Sequence, residues 1–234
     1  GDEIHGRVDC EGFDALLIGA RAAGTVPVKQ HSDTAGTQGG VRIYVPTDSG
    51  ALAVGAEEVA VAIAKEAAAR GVNIELIRNG SRGLYWLEPL VEVETLAGRL
   101  AYGPVKAVDV PALFDAGFHT GGMHRLGHGL TEHIPFLAGQ ERLTFRRVGI
   151  TRPLSLADYA AHGGFEGLKK AVALDGAAIV KEVTDPGLRG RGGAAFPTGI
   201  KWNTVLHAAG PTKYVVCNAD EGDSGTFSDR MLME

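Results

Sequence analysis

The stretch Gly187-Leu188-Arg189-Gly190-Arg191-Gly192-Gly193 places four glycines within seven residues, interleaved with two arginines. Glycine lets the backbone curl tightly enough for several N–H groups to converge on one anion. Ala194-Ala195-Phe196-Pro197-Thr198-Gly199-Ile200-Lys201-Trp202 follows and leads into a helix, whose positive end adds to the same field. Arg189 and Arg191 can neutralise phosphate charge with their forked donors. The pattern points to a ligand that bears phosphate. It is not the dinucleotide Gly-x-Gly-x-x-Gly after a strand, and no Gly-Lys-Ser/Thr closes it as a Walker loop. The competing reading is a disordered, RNA-binding Arg-Gly-Gly tract. Such tracts repeat in basic surroundings, whereas this one is single and lies between helical segments.

A second run, Tyr214-Val215-Val216-Cys217-Asn218-Ala219-Asp220-Glu221-Gly222-Asp223-Ser224-Gly225-Thr226-Phe227, goes from apolar to acidic. A strand that empties into Asn218, Asp220, Glu221 and Asp223 has the composition of a parallel strand's carboxyl end beside a ligand crevice. Carboxylates and an amide suit the hydroxyls of a ribityl or ribose chain. The same residue types also bind magnesium or calcium, although the spacing does not fit a calcium loop.

These two runs need a scaffold. A strand over Lys213–Asn218 and a helix near Ile200–Ala208 are expected at the runs themselves. Helical segments precede them at Leu156–His162, Gly164–Ala173 and Ala177–Thr184, the last stopped by Pro186-Gly187. Residues 41–116 read as a separate unit. It has a strand Val41–Val45, a helix Ala56–Arg70 with Val59, Ile63 and Ala67 on one face and Gly71 as its stop, and a strand Val72–Ile77. A hairpin Leu90–Glu94 and Arg99–Tyr102 turns at Ala97-Gly98, and a last helix starts at Asp109 with Pro111 in its first turn. The order βαβ, then ββα, predicts a small thioredoxin-like sandwich. Residues 1–23 suggest a strand (Glu3–Val8) and a helix (Glu11–Ala20). Gly6, Val8, Ala15 and Leu16 repeat at one offset in Gly103, Val105, Ala112 and Leu113, so this segment reads as the end of another domain of that type. Residues 24–40 have linker composition.

Residues 117–151 read as a connector with one strand-like stretch, Leu143–Val148. Its His119, His124, His128 and His133 raise the question of a metal, but Gly121, Gly122, Gly127 and Gly129 break any helix that would align them. A solvated connector without a metal is the expectation. Cys217 reads as a packed thiol in mid-strand, and Trp86 and Trp202 as packing residues.

Together, Gly187–Trp202 and Lys213–Arg230 resemble the flavoprotein subunit of respiratory complex I and its relatives in NAD-reducing hydrogenases and formate dehydrogenases. The resemblance implies an α/β chain, with the thioredoxin-like domain (41–116) followed by a connector (117–151) and the start of a Rossmann-like FMN/NADH-binding domain (152–234). It implies FMN against Gly190, Arg191, Gly192 and Lys201, with Asn218, Asp220 and Glu221 on the ribityl and ring side. Gly193, Phe196 and Asp223 would face NADH. Hydride transfer between nicotinamide and flavin is then carried by the cofactors, with no catalytic side chain. One departure is Ala195, where the family usually has glycine.

Cluster-bearing relatives hold a 2Fe-2S group on the middle domain through four cysteines. This chain has Pro46, Ala51, Ser81 and Tyr85 there, and iron-sulfur ligation needs thiolates. That absence, with the run Asn79–Leu90 and the Gly-Ala-Ala-Phe variant, resembles the NAD-dependent formate dehydrogenase branch. The implied partners are a catalytic subunit with a molybdenum or tungsten pterin and iron-sulfur clusters, and a 2Fe-2S thioredoxin-like domain or subunit. A 4Fe-4S cluster site is expected beyond Glu234. A hydrogenase or respiratory diaphorase, and a scaffolding module without flavin, are the alternatives.

The totals agree with that reading. A net charge of −5 argues against a general nucleic-acid binder, which needs a basic face. Two cysteines, Cys10 and Cys217, make no disulfide framework, so a reducing, cytoplasmic compartment is expected. No run is apolar for the eighteen or so residues that begin to suggest a membrane span.

Overall fold

The computed structural model describes residues 39–234; the strand, helix and linker expected before them lie outside the described residues. The chain is a mixed α/β protein built on one five-stranded sheet, with strand order β2-β1-β3-β4-β5. The strands are β1 (Val41–Pro46), β2 (Ile74–Asn79), β3 (Val91–Thr95), β4 (Gly98–Tyr102) and β5 (Gly127–Leu130). β1 and β2 run parallel, with Val41 opposite Ile74, and each remaining pair is antiparallel. The parallel pair needs a crossover. After the short α1 (Ser49–Ala53), α2 (Ala56–Arg70) supplies it. Gly55 in a left-handed conformation opens α2, Glu57 and Glu58 sit in its first turn, and left-handed Gly71 closes it.

Alternation along the strands gives the sheet two different faces. Ile43, Val45, Val91 and Val93 pack on Val59, Ile63 and Ala67 of α2 and on Val110 and Leu113 of α3 (Val110–Asp115), with Phe118 wholly buried beside them. The opposite face is polar. There the buried Arg82 guanidinium lies 2.9 Å from the buried Glu92 carboxylate, Arg99 approaches Glu92 at 3.6 Å, and exposed Glu132 pairs with Arg82 at 2.9 Å. Arg99 also stacks 3.5 Å above the Tyr44 ring. A buried pair of this kind is costly to break from one side. Beside it, Leu84, Leu87, Leu90, Ala101, Ile134 and Leu137 form a second, smaller core.

The stretch expected to be a solvated connector belongs to this layer. Its residues form β5 on the edge of β4, and α4 (Pro135–Ala138) contributes Leu137 to the smaller core. His128 bonds the Gly103 carbonyl at 2.8 Å and His119 stacks on Phe114. Leu143–Val148 is a series of turns rather than a strand. Arg147 there is drawn to the carbonyls of His162 and Gly163 at 2.8 and 2.6 Å.

Residues 152–234 carry α5 (Leu156–Ala161), α6 (Glu166–Ala171), α7 (Gly176–Thr184), α8 (Thr198–His207) and α9 (Ser228–Met233), and no strand longer than a single bridge. The strand expected at Lys213–Asn218 is irregular chain, paired with no other strand among the described residues. Val215 is fully exposed as a result, and Cys217 is an exposed rather than a packed thiol. A strand needs a neighbour to satisfy its amides, and none of the described strands reaches it. α7 and α8 pack closely: a Cβ on Gly199 would lie 2.1 Å from the Thr184 hydroxyl. No helix among the described residues is long and apolar enough to cross a membrane.

Candidate functional site

The glycine-arginine run folds into a tight ribbon. The Gly190 amide donates to the Phe196 carbonyl and the Thr198 amide to the Leu188 carbonyl, both at 2.9 Å, and Arg189 faces Pro197 across an antiparallel bridge. Residues 191–195 form the tip between them. Left-handed Gly187 and Gly193 permit the curl, with φ of 70° and 101°. Ala195 takes φ 50°, a conformation that L-residues rarely adopt.

The two arginines divide the work. Arg189 donates to the Ala195 carbonyl at 2.9 Å and so braces the tip from within. Arg191 is exposed and makes no hydrogen bond or ion pair among the described residues, and the amides of residues 191–195 donate to no protein acceptor there. Lys201, on the first turns of α8, brings its ammonium 5.6 Å from the centre of the Phe196 ring and close to Gly190. The structure therefore brings together Gly190, Arg191, Gly192, Gly193, Phe196 and Lys201 around one tip. The tip amides with Arg191 and Lys201, none of them hydrogen-bonded or ion-paired among the described residues, fit a phosphate monoester, and the half-exposed Phe196 ring offers a flat face beside them.

The acidic run is arranged differently. Asn218, Asp220 and Asp223 are exposed, with Asn218 Oδ1 only 3.5 Å from the Asp220 amide. Glu221, at φ 45°, turns its carboxylate to the start of α9. It accepts from the Ser228 hydroxyl at 2.9 Å and from the amides of Asp229 and Arg230 at 2.8 and 3.1 Å. Partial burial works to raise the Glu221 carboxyl, but these three donors outweigh it and hold the group below the ordinary glutamate range. No hydrogen bond or ion pair among the described residues joins residues 187–202 to 214–230. Two cavities of about 530 and 460 Å³ lie elsewhere, both lined by Arg152, Pro153 and Ser155 and the first also by Arg78. The site is an open surface. Arg230 and Tyr85, which hold the acidic run from outside, carry no sequence signal of that role, because they lie 145 residues apart.

Comparison with known proteins supports the same region. Residues 183–234 match the family described as the Nuo51 FMN-binding domain. The chain is 50% identical over 95 residues to the NADP-reducing hydrogenase subunit HndC of Solidesulfovibrio fructosivorans, covering 41% of this chain and 19% of that protein. It is 44% identical over 94 residues to an NADH-quinone oxidoreductase subunit of Escherichia coli, covering 39% and 21%. The matches thus span about a fifth of the length of these relatives. Among solved structures, an NAD+-reducing [NiFe]-hydrogenase in the H2-reduced state aligns over 84% of this chain and 33% of its own, at 24% identity and TM-score 0.35. A thioredoxin-like [2Fe-2S] ferredoxin from Aquifex aeolicus aligns over 39% of this chain and 99% of its own, at 17% identity and TM-score 0.34.

Proposed function

We propose that this chain is part of a diaphorase module that holds FMN and NAD, with residues 152–234 the beginning of its Rossmann-like binding region and 41–116 a thioredoxin-like domain without a cluster. The observation that carries the proposal is the tip at residues 191–195, where unengaged amides stand beside Arg191 and Lys201. The family match over 183–234 supports it.

Gly190, Gly192 and the tip amides would hold the flavin phosphate, with Arg191 neutralising its charge. Lys201 would set a positive charge against the ring and favour its reduced, anionic form. Gly193 leaves room for the dinucleotide, Phe196 gives it a wall, and Asp223 lies in the run assigned to it. Asn218 and Asp220 would accept from ribityl hydroxyls. When bound, the flavin supplies hydride exchange with nicotinamide and single-electron exchange with iron-sulfur carriers.

The finer reading is the NADH-side subunit of a cytoplasmic, NAD-dependent formate dehydrogenase, working with a metal-pterin catalytic subunit, 2Fe-2S and 4Fe-4S carriers. What supports it is Pro46, Ala51, Ser81 and Tyr85 in place of cluster thiolates. The alternative, a hydrogenase or respiratory diaphorase, is favoured by the names of the relatives. Titration with FMN, read by quenching of flavin fluorescence, tests the site: Lys201→Ala and Arg191→Ala are expected to weaken binding about tenfold or more each. No binding by the unaltered protein leaves the scaffolding reading. NAD reduction by the assembled complex with formate, hydrogen or quinol in turn separates the branches, and activity only with hydrogen would overturn the formate assignment.

A further inference from the structure

The acidic run is exposed, and α9 beside it has six residues with none buried, too short to persist alone. Something else must fix Glu221, whose positive φ is a costly conformation for a residue with a side chain. The contacts of α9 show what does. Arg230 donates from its guanidinium to the Tyr85 hydroxyl at 3.0 Å, while its own amide donates to Glu221. One residue therefore bridges the acidic run and the sheet unit. Its guanidinium lies 5.6 and 5.5 Å from the ring centres of Tyr85 and Phe227, which meet edge to face at 5.0 Å. At the other end of α9, Glu234 accepts from both the amide and the hydroxyl of Ser49, each at 2.9 Å. Between these points the Met231 methyl lies so close over Gly83 that a Cβ there would come within 2.9 Å of it.

Tyr85 is a firm anchor. It is flanked by Leu84 and Leu87, both buried in the smaller core. Its loop is tied by Ser81, which accepts from the Gly83 amide at 2.9 Å and donates to Glu88 at 2.6 Å. Glu88 also accepts from the Leu90 amide at 2.8 Å.

We propose that Tyr85 and Ser49 are positioning residues for the acidic run: they latch α9 onto the sheet unit, and α9 through its first amides fixes Glu221 and the loop around it. The latch stands on the contacts themselves; its consequence for flavin rests on the function proposed above. The two are tested together on the full chain. Tyr85→Phe keeps the ring and removes the acceptor, and Ser49→Ala removes a hydroxyl from an exposed position, so neither threatens folding. Amide hydrogen exchange at Asp229 and Arg230 is expected to quicken about tenfold in Tyr85→Phe, the worth of one hydrogen bond to a charged group. Carbon-13 titration of the Glu221 carboxyl should move up toward ordinary glutamate values as its donors loosen. Tyr214→Ala, an exposed change outside the latch, should alter neither. FMN affinity should fall several-fold in Tyr85→Phe and Ser49→Ala. Unchanged exchange and titration in both variants would overturn the latch, whatever the unaltered protein does with flavin. Faster exchange with undiminished FMN affinity would overturn its role at the site. Failure of the unaltered protein to bind FMN would overturn the proposed function and leave exchange to decide the latch.

Discussion

The sheet unit and the segment that carries the candidate site are built to opposite rules. In the sheet unit two cores and a buried ion network enclose side chains as large as Phe118, at zero exposure. Across residues 152–234 only two glycines, Gly164 and Gly199, are buried. Burial of apolar surface is the dominant favourable term in folding. The first region therefore carries the stability, while the second leaves backbone and charge exposed and borrows its order from tethers such as Arg230 to Tyr85. Ligand sites are drawn from the less stable parts of a molecule for this reason.

The sharpest way to break that contrast is to truncate one aromatic in each region. Phe118→Ala removes a fully enclosed ring and is expected to cost about 3–5 kcal/mol of stability. Trp202→Ala removes a larger ring that is 45% exposed and should cost about 1 kcal/mol or less. Urea unfolding measures both. Equal losses would show that the second region has a core of its own.

Acid should separate the regions next. Burial raises the Glu88 carboxyl to about 7 from an ordinary 4.5, against the bonds from Ser81 and Leu90 that favour its charged form. A raised folded value means that the folded state holds the proton more tightly than the unfolded chain. Its stabilisation is complete below the ordinary value of 4.5 and is lost as pH rises toward 7. The span corresponds to about 3 kcal/mol. Glu221 and Glu166 are shifted the other way, Glu166 by its bond to Lys169, so their contributions stand above the ordinary value and fade as pH falls. Hydrogen exchange, corrected for intrinsic rates, should show the sheet unit firming as pH falls from 7.5 to 5 while α9 is unchanged, with α9 loosening only below the ordinary glutamate value of 4.5. In Glu88→Gln the first trend should flatten; if it persists, another buried group is responsible.

How much of this contrast is legible in sequence depends on how local the cause is. α2 is legible within its own residues, because Val59, Ile63 and Ala67 repeat at helical spacing and Gly71 stops it. β5 is not, since Gly-His-Gly-Leu has no alternation and owes its pairing to the edge of β4. Tyr214–Cys217 has the composition of a strand, yet strand formation needs a partner that no local pattern specifies. At the site, the curl of residues 187–193 follows from glycine alone. That Arg189 braces the tip while Arg191 is unpaired among the described residues depends on where the Ala195 carbonyl points, which spacing does not encode. By residue type the Glu221 carboxylate suits a ligand, but the structure shows it engaged by α9.

Within the second region, the α7–α8 contact is the exception that resembles a core. Gly199→Ala would drive a methyl to 2.1 Å from the Thr184 hydroxyl and 3.0 Å from its Cα, so α8 must shift rather than a flexible side chain alone. A loss of about 1–3 kcal/mol is expected, confined to the helix pair. Exchange in α7 and α8 should quicken while β1 and β3 remain as protected as before. Loosening of the sheet as well would mean that the two regions unfold as one.

The smallest expected effect falls at Ala195. Its left-handed backbone costs roughly 1–2 kcal/mol for a residue with a Cβ, a cost that glycine does not carry. Glycine also makes the unfolded chain more flexible, offsetting about 0.5–1 kcal/mol of the relief. Ala195→Gly should therefore stabilise the tip by about 1 kcal/mol or less. It leaves the Arg189 bond in place, because that bond uses the residue's carbonyl. The relief would be seen as slower exchange at the Gly190 and Thr198 amides that close the ribbon, with no change in the sheet. If exchange there quickens instead, the methyl packs against the tip and Ala195 stabilises it, so at this point the second region would follow the rule of the first.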